Sequence, residues 1–393
     1  MNEPYPSNPT LSALEEYFTD TTARARAEAP DADWVDWSIG DPDEPTPPFI
    51  RDALVDALGP VSSYPTTSGT PELREAIAGW ARRRHGVDVD PDTQILPAAG
   101  SKEAIFHLPF AVIDAAGTRR HVLWGDPGYP VYARGAQFAG GVSDPVALEP
   151  EGQWRMELGD LEPERLRRAA IVWVSYPHNP TGATVDVDYF RRQVDVARQH
   201  RILIASDECY QELWFDRPAP SILEACDNDY TGVLAFVSLS KRSGMTGYRS
   251  GAILGDPQLI ATLRRLRVNI GTASPTFIQA AATAAWRDQD HVDERRRIFA
   301  AKRDIVLGFL RDEGFRVAHS DGTFYLWVQA PGGDDVGYAN ALQRIHVLVT
   351  PGRAFGPAGT GWFRIALVPT VDECRRAVER WRVAIRNAAL PGT

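Results

Sequence analysis

Short apolar runs recur through the middle of the chain, each closed by Ser, Gly, Pro or Asp. Runs of that length between turn-forming residues predict buried strands at Gln94–Pro97, His121–Trp124, Ile171–Ser175, Ile202–Ser206, Val233–Ser238 and Ala252–Gly255. Between several of them the period changes to that of a helix. Asp188–His200 places Phe190, Val194 and Ala197 on one face, and Pro71–Arg84 and Ala104–Ile113 read the same way. Alternating strands and helices make a parallel sheet covered on both faces. A long charged helix, Val292–Glu313, then leads into an α+β tail: strands at Phe315–Ala318, Thr323–Gln329, His346–Thr350 and Trp362–Val368, and a helix at Val371–Asn387. The Pro-rich piece Asp41–Pro48 reads as an extended crossing loop, and no internal repeat is present.

Composition narrows the function classes. A chain of 393 residues buries a large core and divides into about two domains. Its net charge of −10 argues against a nucleic-acid or anionic-membrane partner, because no basic block offsets it. Arg82-Arg83-Arg84 closes a predicted helix and complements its dipole. Cys209, Cys226 and Cys374 lack the spacing of metal ligands or of a disulfide framework, so no metal is expected. The N-terminus is polar and acidic, without the apolar run of a signal peptide or a membrane span, which predicts a cytoplasmic protein.

The chemistry gathers at the predicted strand ends. Lys241 follows the run 232–237, in Ser238-Leu239-Ser240-Lys241, with Arg249 eight residues on. Low-dielectric surroundings depress a lysine's pKa and favour the nucleophilic amine, while hydroxyls and a fixed cation hold a phosphate. An imine-forming lysine beside a phosphate cup suggests pyridoxal 5′-phosphate; a solvated strand-end lysine is the plain alternative. Three segments favour the first reading. Asn179 stands on a proline-rich turn after the strand Ala170–Val174, where its amide can donate to a phenolate oxygen. Asp207 ends the strand starting at Ile202, as a partner for a protonated pyridine nitrogen or else as a helix N-cap. Gly100-Ser101-Lys102 turns a strand into a helix whose free N–H groups suit a phosphate, with Lys102 serving through its backbone.

The ordered set Gly100, Ser101, Lys102, Tyr129, Asn179, Asp207, Tyr210, Ser238, Ser240, Lys241, Arg249 and Arg364 resembles a class I/II aminotransferase of PLP fold type I. The likeness runs from Ile39-Gly40-Asp41-Pro42 to Arg364-Ile365-Ala366-Leu367. Within the superfamily, Ser238–Ser243, Ser206–Tyr210, Tyr64–Thr70, Tyr325-Leu326-Trp327 and Phe355–Gly359 are most similar to the actinobacterial succinyldiaminopimelate transaminase group. The resemblance implies a large domain, 49–290, around a mostly parallel seven-stranded-type sheet. It also implies a smaller α+β domain, 291–393, joined by residues 1–48. Lys241 would carry the cofactor and move the substrate proton, Asp207 would hold the pyridine proton, and Asn179 and Tyr210 would donate to the ring oxygen. Tyr129 would stack on the ring, unless it is a plain turn aromatic. Gly100, Ser101, Lys102, Ser238, Ser240 and Arg249 would form the phosphate cup. Tyr64 would reach the phosphate of a neighbouring subunit, which implies a homodimer with shared sites.

Arg364 lies in an apolar setting and offers a planar two-pronged match to a substrate carboxylate, with a structural salt bridge as the competing explanation. Gly40 would let the backbone approach the same carboxylate. Arg353 reads either as a distal-carboxylate contact or as a solvated side chain. Tyr176 and His178 depart from the small or amide residues more usual in relatives, and His178 is either a substrate contact or incidental. The expected activity is ping-pong transamination, with glutamate and 2-oxoglutarate as one pair and succinyldiaminopimelate and its keto acid as the other. The alternatives are a PLP enzyme of elimination, γ-replacement or carbon–carbon bond formation, and a ligand-binding protein that has lost catalysis.

Overall fold

The computed structural model describes residues 23–24 and 26–392. The expected N-terminal segment therefore lies partly outside the described residues. Seven strands form the main sheet: β2 (Ile95–Ala98), β3 (His121–Asp126), β4 (Val142–Ala147), β5 (Ala169–Val174), β6 (Leu203–Asp207), β7 (Val233–Ser238) and β8 (Gly251–Gly255). Their order is β2-β8-β7-β6-β5-β3-β4. β8 runs antiparallel to β2 and β7, and the other pairings are parallel. The fold is thus α/β with a mostly parallel sheet, as expected.

Local chemistry accounts for the elements. β6, β7 and β8 are buried along their whole length, and β5 is buried except at Ala170, so they carry continuous apolar runs rather than alternation. The helix Pro71–His85 starts at Thr70, whose side chain accepts from Leu73 N at 3.3 Å, and stops at Gly86 in the left-handed region. The helix Val187–His200 is capped by Asp186, which accepts from Tyr189 N at 2.8 Å. It packs Phe190, Val194 and Ala197 inward, on the predicted face.

Four expectations need correction. β4 went unpredicted because Asp144 and Pro145 break its apolar run; it is an edge strand, where a proline costs no ladder bond. Phe315–Ala318 is not a strand but one isolated bridge, Val317 to Val328. His346–Thr350 divides into β10 (Val347–Leu348) and β11 (Thr350–Pro351), which join different sheets. Lys241 does not sit at a bare strand mouth: β7 ends at Ser238 and the lysine lies in a one-turn helix, Leu239–Arg242.

A second core gathers Trp37, Phe299, Phe324, Tyr338, Phe363 and Trp381. It surrounds an antiparallel sheet of β11, β12 (Trp362–Ala366) and β9 (Tyr325–Gln329). There β1 (Val35–Asp36) pairs in parallel with β10. The chain leaves β1 along Ser38–Pro47 and crosses to the carboxyl edge of the main sheet, where open parallel sheets leave their ligand crevice. Among the described residues no helix is long and apolar enough to cross a membrane.

Candidate active site

Asp207 is the last residue of β6 and is buried. Its Oδ2 accepts from the Tyr132 hydroxyl at 2.7 Å and its Oδ1 from Cys209 N at 3.3 Å. Burial raises its pKa, while hydrogen bonds from Cys209 and Tyr132 oppose the rise. Among the described residues no cation pairs with it. A buried carboxylate of this kind suits a protonated ring nitrogen. Tyr132 escaped the sequence reading. It stands three residues after Tyr129 in the helix Val131–Phe138 and stacks on Trp173 with centroids 5.0 Å apart. Tyr129 itself meets Tyr132 edge-on at 5.8 Å.

Lys241 donates its Nζ to the carbonyl of Gly40 on the crossing segment. Burial pushes its pKa down to about 8, against the upward pull of Asp41 and Cys209. A useful share of its population is therefore a neutral amine near neutral pH, as imine formation requires. Gly40 is needed there: a Cβ would stand 2.1 Å from the Tyr325 hydroxyl. Tyr325, marked in the sequence only as part of a segment of resemblance, shares a 2.9 Å hydrogen bond with Tyr210, and both phenols are buried.

An anion cradle forms where β2 and β8 meet the helix Ser101–Val112. Gly100 has φ 83°, and a Cβ on it would lie 2.4 Å from Nη2 of Arg249. Arg249 thus lies directly over the start of a helix, whose N-terminal end favours an anion. Gly251 pairs with Ala98 on one side and Ser238 on the other, which brings the two predicted serine and glycine segments to one edge. Ser238 accepts from Ser240 N at 3.1 Å, and both serines are buried. Ser101 takes a hydrogen bond from the Cys209 thiol at 2.9 Å, and Cys209 N donates to Asp207, so Cys209 links the acid and the cradle. Lys102 is exposed on the first turn, consistent with service through its backbone.

Arg364 comes from β12. Its Nη1 donates to Asn179 Oδ1 at 2.8 Å and its Nη2 to the Ser38 carbonyl at 2.8 Å. Tyr325 and Phe355 flank its guanidinium at 4.1 and 4.5 Å, and Nε is buried without a partner. Among the described residues no carboxylate pairs with it, so the salt-bridge explanation fails. A buried guanidinium with a free N–H is a receptor for an anion. The bond to Asn179 occupies the amide oxygen and leaves the amide nitrogen to donate elsewhere.

The remaining predicted residues divide. Tyr64 is fully exposed, and this chain does not bring it to the cluster. Tyr176 takes a hydrogen bond from Met156 N at 3.0 Å in the protein interior. His178 is buried against Thr181 Oγ1 at 2.7 Å, and burial pushes its pKa down to about 3, so it is a neutral brace of the Asn179 loop. Arg353 keeps contact with solvent but is already committed: it grips the fully buried Asp335, with Nη2 2.7 Å from Oδ1.

An acid for a ring nitrogen, a lysine of lowered basicity, a cradle for a phosphate and an arginine for a carboxylate together fit pyridoxal 5′-phosphate and an amino acid. Comparison with known proteins agrees. The chain is 38% identical over 379 residues to an LL-diaminopimelate aminotransferase of Desulforudis audaxviator (strain MP104C), covering 95% of this chain and 94% of that one. The structure of an aminotransferase from Neisseria meningitidis Z2491 matches with a TM-score of 0.87 at 34% identity, over 96% of this chain and 100% of the other. A probable N-succinyldiaminopimelate aminotransferase from Thermus thermophilus matches with a TM-score of 0.87 at 29% identity, over 93% of this chain and 99% of the other. The model of the family Aminotransferase class I and II matches residues 32–380, nearly all of the described chain, and this protein belongs to that family of pyridoxal 5′-phosphate enzymes.

Proposed function

We propose that the protein moves an amino group between a diaminopimelate and the glutamate/2-oxoglutarate pair, as a cytoplasmic homodimer. The observation that carries this reading is Arg364, buried, without an acidic partner and with Nε unbonded, beside Asn179 and Gly40. It suits the α-carboxylate common to all these substrates. Free LL-diaminopimelate is the first substrate to test, following the relative from Desulforudis audaxviator. The N-succinylated form is the second, following the Thermus thermophilus structure.

Pyridoxal 5′-phosphate, when bound, supplies the carbonyl carbon that takes the amino group and a ring that delocalises the charge left at Cα. The side chains do the rest. Gly100, Ser101, Ser238, Ser240 and Arg249, with the backbone of Lys102, would hold the phosphate, and Tyr129 would cover the ring. Asp207 would keep the proton on the ring nitrogen, while Asn179 Nδ2 and the Tyr210 hydroxyl would donate to the ring oxygen. Lys241 Nζ would take the proton from Cα and return it to the cofactor carbon on the far side of the amino nitrogen, since its lowered pKa lets one amine serve as base and then as acid.

In this reading residues 49–290 form the cofactor domain, and residues 1–48 join 291–393 in the smaller one. The pairing of Val35–Asp36 with Val347–Leu348 supports that division. Exposed Val55, Leu58, Val61 and Tyr64 lie close in sequence and support a second copy as the partner of that segment.

The test is an absorbance titration of the cofactor-loaded protein with glutamate. A spectral conversion with stoichiometric release of 2-oxoglutarate, followed by reconversion with the keto acid of either diaminopimelate form, is the expected result. A cofactor spectrum unmoved by glutamate or by either diaminopimelate would overturn the reading and favour non-transaminating chemistry.

A further inference from the structure

Arg242 follows Lys241 directly and points the other way, into the protein. It is buried, and both Nη atoms of its guanidinium are held by hydrogen bonds, while Nε makes none. Nη1 donates to the Ala285 carbonyl at 2.7 Å and to Ser243 Oγ at 3.2 Å. Nη2 donates to the Asp288 carbonyl at 3.0 Å and to Gln289 Oε1 at 3.1 Å. Trp286 stacks against it at 5.1 Å, and Nε faces Oε1 of Glu212 at 3.5 Å, an ion pair without a hydrogen bond. Glu212 is equally buried. It accepts from Trp80 Nε1 at 3.0 Å and Arg84 Nε at 3.3 Å. Burial would raise the Glu212 pKa, but the Arg242 and Arg84 guanidiniums outweigh it and hold the carboxylate ionised.

The placement of this pair matters. Glu212 lies five residues beyond Asp207, in the tight turns that leave β6. Arg242 ends the one-turn helix that carries Lys241. A single helical turn has almost no stability of its own, so its orientation must come from its ends. Ser238 holds the start through its hydrogen bond from Ser240 N. At the other end the fixing group is the Arg242 fork. We propose that the Arg242–Glu212 pair is a buried strut that sets the position of Lys241 relative to Asp207, which makes Arg242 a positioning residue for transamination. The proposal rests on the reading of Lys241 as the cofactor-bearing lysine. It adds that the spacing between base and acid is maintained from behind the site.

The experiment uses Arg242→Met, Arg242→Lys and Glu212→Gln in the full chain. First, borohydride reduction of each loaded protein and peptide mapping determine whether the cofactor is trapped on Lys241. A label on another lysine in the unmutated protein would refute the underlying reading, whatever the variants do. With the label on Lys241, Arg242→Met is expected to lower kcat by about tenfold to a hundredfold while KM stays within about threefold. The pH midpoint of the cofactor absorbance should move by about half a unit or more, and Arg242→Lys should recover part of both effects. If Arg242→Met does not fold, Glu212→Gln, which keeps the shape and removes the charge, carries the same expectation. A folded variant that loses only thermal stability, with kcat and the absorbance midpoint unchanged, would overturn the strut.

Discussion

The hydroxyl of Tyr132 donates to Oδ2 of Asp207 at 2.7 Å across a separation of 75 residues. Burial raises the Asp207 pKa, and that bond together with those from Cys209 opposes the rise. Tyr132→Phe should therefore raise the Asp207 pKa further and weaken its hold on a protonated ring nitrogen. The expected loss is about tenfold in cofactor affinity, the worth of one hydrogen bond to a charged group. Equilibrium dialysis of the cofactor against the folded variant measures it.

Lys241 makes a prediction about pH in the cofactor-free protein. Its folded pKa of about 8 lies below the ordinary 10.5. The unfolded chain therefore binds more protons between those values, and stability rises with pH across that window. Below it, the buried charge costs on the order of 2 kcal/mol after allowance for partial solvent contact. Lys241→Met should raise the melting temperature of the cofactor-free protein at pH 7, and the advantage should fade between about pH 8 and 10.5. An advantage independent of pH would mean that packing, not charge, is its cause.

Arg364→Met should lower kcat/KM by about a hundredfold or more in both half-reactions, because each substrate presents the same carboxylate. Without substrate the variant should stay close to the parent in stability, since the lost bonds to Asn179 and Ser38 are offset by relief of a buried guanidinium whose Nε is unbonded. Stopped-flow half-reactions and thermal melts of the same preparation separate the two effects.

The Arg353–Asp335 pair should behave as structure. Burial raises the Asp335 pKa, but Arg353 and its backbone N–H outweigh this and hold it below the usual 3.8. Such a group contributes stability above its unfolded pKa and loses it as pH falls through the folded one. Asp335→Asn should cost about 1–3 kcal/mol at neutral pH, with the difference from the parent shrinking below about pH 4. KM for either diaminopimelate should be unchanged. A rise in KM would return Arg353 to the substrate.

Much of this was legible in the chain. The predicted ends of β5, β6 and β7 carry Asn179, Asp207 and Lys241 because short apolar runs and their closing residues are local signals. The helix Thr276–Arg287 was not among the predicted elements, although Gln279, Ala282, Thr283 and Trp286 recur at helical spacing on its buried face. Tyr132 had one available clue, its position three residues after Tyr129, which places both near the same edge.

Run length, turn residues and helix caps are written in neighbouring residues, so the sequence alone marked six of the seven strands of the main sheet, the crossing loop and the candidates for the acid, the lysine and the cradle. Partners distant in the chain are a different matter. Asn179 meets Arg364 across 185 residues, and nothing in either neighbourhood encodes that contact. Only the tertiary structure showed that Arg364 lacks a carboxylate while Arg353 has Asp335, which makes Arg364 the better candidate of the two for an anion. It likewise decided the direction of β8, the pairing of Pro145 at the sheet edge, and the burial of Arg242 against Glu212. Pairing and desolvation depend on what the rest of the chain brings alongside, and a list of residues does not contain that.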